Sequence, residues 1–258
     1  AAFVFNMDET GINEYADAKK KQVVVHAQFE GNKTRYPVPR DSDHSTVVAC
    51  IAADGSAVRP LLVVTHKTIR EDLHELCWTP EKADIKHSER GYITHQIFMK
   101  WLRTTFIPSV NERRERIGDM GQRAYLLMDN CSSHRSTAVT ELCEENNIEL
   151  VYFVPNSTHI FQPLDLSMFS SFKARIRSYV PEENRGRQTD NLLKILESWD
   201  AANTVATIRG SFKMAGFVYR TVNSRNYVSF SREAVRNLQD APTQQRAPGP
   251  TGRRIPLQ

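Results

Sequence analysis

Along this chain, apolar residues first gather in short runs of strand length. Phe3-Val4-Phe5-Asn6-Met7 is one such run, and Gly11 marks where its pattern breaks. Gln22–Gln28, with Val23, Val24 and Val25 at its centre, predicts a second strand, and Ser45–Ala52 a third. Asp54-Gly55 then has the chemistry of a hairpin turn, and Val58–Thr65 continues as the next strand. Connections this short predict antiparallel pairing. His66–Arg90 is polar and irregular, with a short helix expected around Asp72–Cys77.

The period then changes from two to nearly four. Ile97, Phe98, Trp101, Leu102, Thr105 and Phe106 fall on one helical face behind a Thr94 cap, and Pro108 predicts the end of that helix. The aromatic stripe Phe98–Trp101–Phe106 reads as core. Arg113–Gln122 reads as a charged connection, and Tyr125–Met128 as a strand. Ser132 or Ser133 is the expected cap of a helix reaching Asn146, and Ile148–Val154 is the next strand. Pro163 suits the first turn of a helix running to Tyr179. Thr189–Thr207 predicts a further helix, while Phe212–Tyr219 fits helix or strand. Antiparallel strands followed by alternating helices and strands predict an α/β fold with a central mixed sheet flanked by helices. That order matches the ribonuclease H-like arrangement, in which the first and fourth core strands lie side by side. One domain is expected over residues 1–239, followed by a basic, Pro- and Gly-rich tail over 240–258 with a disordered composition. No internal repeat is evident.

A chain of 258 residues suffices for one large domain with a real core. No apolar run approaches the roughly 18 residues of a membrane span, so a membrane partner is not expected. No signal peptide is visible, and Ala1-Ala2 leads straight into a strand without an initiator Met, as expected for a piece of a longer polypeptide. Net charge is +4, from 34 basic and 30 acidic residues, which alone says little about nucleic acid. Its distribution says more: Lys173, Arg175, Arg177, Arg185 and Arg187 follow closely after Asp165, a cluster suited to phosphates or to a solvated helix face. Cys50, Cys77, Cys131 and Cys143 show no paired spacing and read as reduced thiols. The glycosylation-type triplets at Asn32, Asn130 and Asn156 are read as chance matches. His66, His74, Cys77, His87 and His95 have no zinc spacing, and without a P-loop no nucleotide cofactor is expected.

Three acids change the picture. Asp8 and Asp129 each follow an apolar strand run, and Asp165 opens a helix within Gln162-Pro163-Leu164-Asp165. If the two strands are neighbours, both carboxylates reach one spot, and the helix dipole favours a negative charge at Asp165. Three hard oxygen donors suit Mg²⁺ or Mn²⁺ rather than zinc. Two such ions activate a water or a 3′-hydroxyl and stabilise the leaving oxygen in phosphodiester chemistry. Each aspartate alone reads as a turn or cap residue; the three together carry the metal reading. Asn130 and His134 beside the second acid, and His159 before the third, are candidates for DNA contact or for local turn and packing roles. Glu9 should point away from Asp8 along a continuing strand.

Asp8-Glu9-Thr10-Gly11, Asp129-Asn130-Cys131-Ser132-Ser133-His134 and Pro155-Asn156-Ser157-Thr158-His159-Ile160-Phe161-Gln162-Pro163-Leu164-Asp165 resemble the signature blocks of the pogo/Tigger/jerky group of DDE transposases. That group is the DDE superfamily endonuclease domain, related to mariner transposases and centromere protein B. Gly91-Tyr92-Ile93-Thr94 and Ser211-Phe212-Lys213-Met214-Ala215-Gly216-Phe217 also fit, so the resemblance spans Phe3 to Tyr219. It implies a ribonuclease H-like core and a triad of Asp8, Asp129 and Asp165 holding Mg²⁺ or Mn²⁺. It implies double-stranded DNA, transposon ends and target, as partner, with Lys173, Arg175 and Arg177 among its contacts. A nuclear location and a homodimeric assembly are further expectations. Relatives of this kind usually carry a helix-turn-helix region ahead of this domain, and sequence-specific recognition is expected there. A domesticated DNA-binding or protein-interaction module on the same fold is the alternative. A nuclease of RNA–DNA hybrids is a third reading, disfavoured by the transposase-type motifs.

Overall fold

The computed structural model describes residues 1–13, 44–68, 82–131, 134–154, 157–180, 187–222 and 225–231. The expected strand at Gln22–Gln28, the helix around Asp72–Cys77, the Ser132/Ser133 cap and the tail at 240–258 lie outside the described residues. A sheet of six strands forms the centre: β1 (Val4–Asn13), β2 (His44–Ala52), β3 (Ala57–Val64), β4 (Asp84–His87), β5 (Ala124–Met128) and β6 (Ile148–Tyr152), in the order β4-β3-β2-β1-β5-β6. β1, β2 and β3 pair antiparallel, whereas β5 runs parallel to both β1 and β6. This is the expected mixed sheet, with β1 lying between β2 and β5.

The apolar runs fill both faces of this sheet. On β2, Val47, Ala49 and Ile51 face one core and Val48, Cys50 and Ala52 the other. On β3, Leu62 and Val64 oppose Leu61 and Val63 in the same way. Strands covered on both sides read as continuous hydrophobic runs for this reason. One layer holds α1 (His95–Trp101), a π-helical turn (Leu102–Phe106), α2 (Ile107–Ile117) and α3 (Thr137–Glu145). Phe98, Trp101 and Phe106 are buried there, and Thr94 caps α1 by accepting from the Ile97 amide. The other layer holds α4 (Thr158–Phe161), a second π-helical turn (Leu164–Met168), α5 (Phe169–Ser178), α6 (Arg187–Ala202) and α7 (Val205–Met214). A hairpin of β7 (Phe217–Val222) and β8 (Arg225–Phe230) closes the described chain.

Several boundaries depart from the residue pattern. β1 does not break at Gly11; its antiparallel ladder with β2 continues to Asn13 opposite His44, so Asp8 sits mid-strand. Pro108 does not stop its helix, and Arg113–Ile117 is helical rather than a connection. The widened turn before it displaces the i−4 hydrogen bond that proline cannot make. Asp84–His87 is a strand despite its polarity, because it pairs parallel with β3 and Arg59 reaches Asp84. Ser136 caps α3 through the Val139 amide. The helix expected over Thr189–Thr207 is two helices, since Thr204 turns extended and caps a new one.

The turn after β4 is fixed by Gly91, whose φ is +69°; a Cβ there would meet the His44 carbonyl oxygen at 2.1 Å. Gly118, also at φ +69°, ends α2 with nothing within 4 Å of such a Cβ. Gly118→Ala should therefore cost only the left-handed penalty, about 1 kcal/mol. Gly91→Ala should cost clearly more, about 3 kcal/mol, since backbone must also move. Urea unfolding of the two variants separates the terms, and equal losses would contradict the close approach.

Candidate metal centre

Strand alternation distributes β1 between the two faces. Phe5 and Met7 enter the core beneath α1 and α2, while Ile12 faces the layer of α5 and α6. Asn6 belongs to the second face and is fully buried. Its Nδ2 donates to the Leu127 carbonyl on β5 at 3.1 Å, and its Oδ1 accepts from the Leu164 amide at 3.0 Å. A single amide thus ties the three elements that carry Asp8, Asp129 and Asp165. Asp8 lies two residues beyond Asn6, Asp129 two beyond Leu127, and Asp165 one beyond Leu164.

The carboxyls of Asp8 and Asp165 hydrogen-bond to each other, and both feel the charge of Asp129. Burial, then repulsion from Asp165, raises Asp8 well above the ordinary carboxylate range, with smaller contributions from Glu9 and Asp129. Burial and Asp129 also raise Asp165, against the hydrogen bond with Asp8 and the charge of Lys173. The third acid moves the other way. A hydrogen bond from His134 holds Asp129 below its ordinary value, helped by the Cys131 amide at 3.3 Å.

Glu9 points to the opposite side from Asp8, as alternation requires, and meets His134 there. His134 Nε2 lies 2.6 Å from Glu9 Oε1, and Nδ1 lies 3.2 Å from Asp129 Oδ1. Burial alone would lower His134, but the hydrogen bonds and charges of Asp129 and Glu9 push it up to about 10. Its ring is 1% exposed and packs on Phe98 at 4.7 Å between centroids. The DNA-contact reading of His134 is corrected by this burial: a short turn after Asp129 swings the ring inward instead of onto the surface.

Asn130 and His159 are exposed, the latter on α4. Lys173, one face of α5 below Asp165, is close enough to stabilise that carboxylate, and Arg177 lies one turn further along the same face. Arg175 is exposed on another face. Arg185 lies outside the described residues. The residues that sequence reasoning missed are Asn6 and the supporting role of Glu9. The signal for Asn6 was present: a lone amide inside an apolar strand run, on the face of Asp8.

Asp8, Asp129 and Asp165 offer only carboxylate oxygens, a donor chemistry that fits Mg²⁺ or Mn²⁺. Among the described residues, no group of three or more His, Cys, Asp or Glu side chains stands close enough together to hold a metal ion.

A family model described as DDE superfamily endonuclease matches residues 42–213, two thirds of the chain, and the chain belongs to that family. The match includes Asp129 and Asp165; Asp8 joins them through the pairing of β1 with β5. The chain is 28% identical over 227 residues to MFS-type transporter clz9 of Cochliobolus lunatus, covering 83% of this chain and 23% of that protein. That name belongs to the relative; among the described residues no helix here is long and apolar enough to cross a membrane. It is 27% identical to human Tigger transposable element-derived protein 7 over 158 residues, covering 58% of this chain and 26% of the relative. With CENP-B homolog protein 2 of Schizosaccharomyces pombe it shares 24% identity over 259 aligned positions, covering 92% and 46%. The chain therefore spans a quarter to a half of the length of these relatives. The fold is that of the Mos1 transposase catalytic domain, a ribonuclease H-like fold. A pre-cleavage Mos1 transpososome superposes with a TM-score of 0.56 at 17% identity, covering 83% of this chain and 53% of that one. The isolated catalytic domain of Mos1 mariner transposase gives 0.50 at 14%, covering 83% and 77%.

Two consequences are measurable. Asn6→Ala leaves the Leu164 amide buried without its acceptor and should cost about 2 kcal/mol in urea unfolding; an unchanged midpoint would remove Asn6 from its central position. Because Asp8 and Asp165 hold a proton more tightly folded than unfolded, their contribution is favourable at low pH and lost as pH rises through the raised values. In EDTA, Asp165→Asn should melt above the wild-type chain near pH 7, and the gap should close near pH 4, the ordinary carboxylate range. A variant that melts lower throughout contradicts the repulsion.

Proposed function

We propose that this chain is the catalytic domain of a transposase, cutting and joining DNA phosphodiester bonds with divalent cations held by Asp8, Asp129 and Asp165. The observation that carries this reading is that buried Asn6 bonds the Leu127 carbonyl and the Leu164 amide, which ties together the three segments that bear Asp8, Asp129 and Asp165. Membership of the DDE superfamily endonucleases supports it. When bound, the cations would supply an activated oxygen nucleophile and charge for the leaving oxygen. The chain's own contribution is positional. Asn6 holds the three elements in register, Asp129 stays ionised through its hydrogen bonds, and the Asp8–Asp165 pair exchanges a shared proton for the charge of the cation.

Double-stranded DNA is the proposed partner, and the nucleus the proposed compartment. Mos1 is seen as a transpososome and as a paired-end complex with transposon end, and the shared fold extends that partner to this chain as a proposal. Lys173 and Arg177 lead away from Asp165 along one face of α5, where they would follow the phosphate backbone. Exposed Asn130, His159 and Arg175 are candidate contacts of lower weight.

The test is nicking of supercoiled DNA by the purified chain in Mg²⁺, Mn²⁺, Ca²⁺ or EDTA. Mg²⁺ or Mn²⁺ should support nicking and EDTA abolish it, with Ca²⁺ bound but unproductive because its looser geometry positions the attacking oxygen poorly. Asp129→Ala should lose on the order of 1,000-fold in rate, the equivalent of several kcal/mol of lost charge stabilisation. Lys173→Ala with Arg177→Ala should weaken DNA binding and lower its salt slope by about 2. Metal-independent nicking, or none even with the terminal repeats and the remainder of the protein supplied, would favour the domesticated DNA-binding alternative.

A further inference from the structure

We propose that Glu9 and His134 are positioning residues that lock the Asp129 carboxylate so that one chosen oxygen, Oδ2, is offered to the cation. This rests on the metal reading above and adds to it a device on the opposite face of the sheet. Asp129 lies beyond the last residue of β5, so no ladder hydrogen bond fixes its side chain. What fixes it is His134. Nδ1 engages Oδ1 at 3.2 Å, and the Cys131 amide engages the same oxygen at 3.3 Å. Both contacts fall on Oδ1, which leaves Oδ2 for a ligand.

The imidazole is itself immobilised. Glu9 Oε1 takes its other nitrogen at 2.6 Å, and Phe98 packs on its face. Glu9 is carried by the same strand as Asp8, one residue on. A rotation or slip of β1 that misplaced Asp8 would thus also move the anchor of Asp129. The chain of contacts Glu9–His134–Asp129 couples the aim of one acid to the position of another through 125 residues of sequence. A structural filler would not look like this. Beside Phe98 an apolar side chain would pack without the desolvation that a buried charged network costs. The polar bridge adds orientation, the property on which cation affinity depends.

The experiment is Mn²⁺ binding to the 258-residue chain, read from the spin-resonance signal of free Mn²⁺, with melting temperature measured in parallel. His134→Phe keeps the ring stacked on Phe98 and removes both nitrogens. Glu9→Ala removes only the anchor, and Glu9→Gln keeps an acceptor oxygen without the charge. His134→Phe and Glu9→Ala should each weaken Mn²⁺ binding about 10-fold or more, and Glu9→Gln should recover most of the loss. The double variant should lose no more than the worse single one, because the two residues act as one unit. A folded His134→Phe or Glu9→Ala chain that binds Mn²⁺ like wild type overturns the positioning role and leaves the metal reading standing. Where His134→Phe does not fold, the Glu9 pair decides by the same criterion. A wild-type chain that binds no Mn²⁺ overturns the metal reading itself, and this proposal with it.

Discussion

The structure depends on one buried amide. Among the described residues, the Asn6 side chain bonds β1, β5 and the turn at Leu164 together. Its task needs both a donor and an acceptor: the donor for the Leu127 carbonyl, the acceptor for the Leu164 amide. An aspartate could not donate and a leucine could do neither, so the amide is chemically specified. Because the acids stand one or two residues from each point of attachment, the clamp leaves little but side-chain torsions to vary at the site. Full burial strengthens each of these bonds and makes their loss costly.

Much of the framework was legible in the residues. β2 and β3 announced themselves by apolar runs too continuous for a sheet with one wet face, and both faces are indeed covered. The helix behind Thr94 followed from its cap and its stripe. What was not legible came from tertiary context. β4 is four residues long, three of them polar, and exists through its pairing with β3 and the contacts of Asp84 with Arg59 and Thr105. The rule that proline ends a helix failed at Pro108 because a π-helical turn had already opened the hydrogen-bond pattern. β1 outlasted its glycine because a long ladder with β2 supports it.

The three acids of the proposed site stand out in the sequence by type, order and spacing; the contacts that surround them do not. Asp165 announced itself by the proline two residues before it. Asp8 was expected at a strand end and is instead mid-strand, brought to Asp129 by the parallel pairing of β1 with β5. His134 read as a surface residue near a helix start, since nothing in the sequence shows that its turn folds back on Phe98. Glu9 was expected to face away from Asp8, and does; its partner could not be known without the other layer. Polar residues beside such acids are ambiguous in sequence for this reason: alternation gives the face, but only packing gives the neighbour.

The three acids are treated in opposite ways, and the difference has chemical content. His134 and the Cys131 amide hold Asp129 below the ordinary carboxylate range. Burial and repulsion leave Asp8 and Asp165 reluctant to carry two charges, with Lys173 offsetting only part of the conflict. A permanently charged carboxylate beside a pair that prefers to share positive charge is a site whose imbalance is relieved by a cation. The same imbalance bears on substrate. Three neighbouring carboxyls repel a phosphate backbone, and the basic residues of α5 lie to one side of them. On the proposed reading, DNA is admitted because the cation reverses the sign of the field at the acids, while Lys173 and Arg177 hold the flanking backbone. Metal and DNA would then bind cooperatively, each lowering the electrostatic cost of the other.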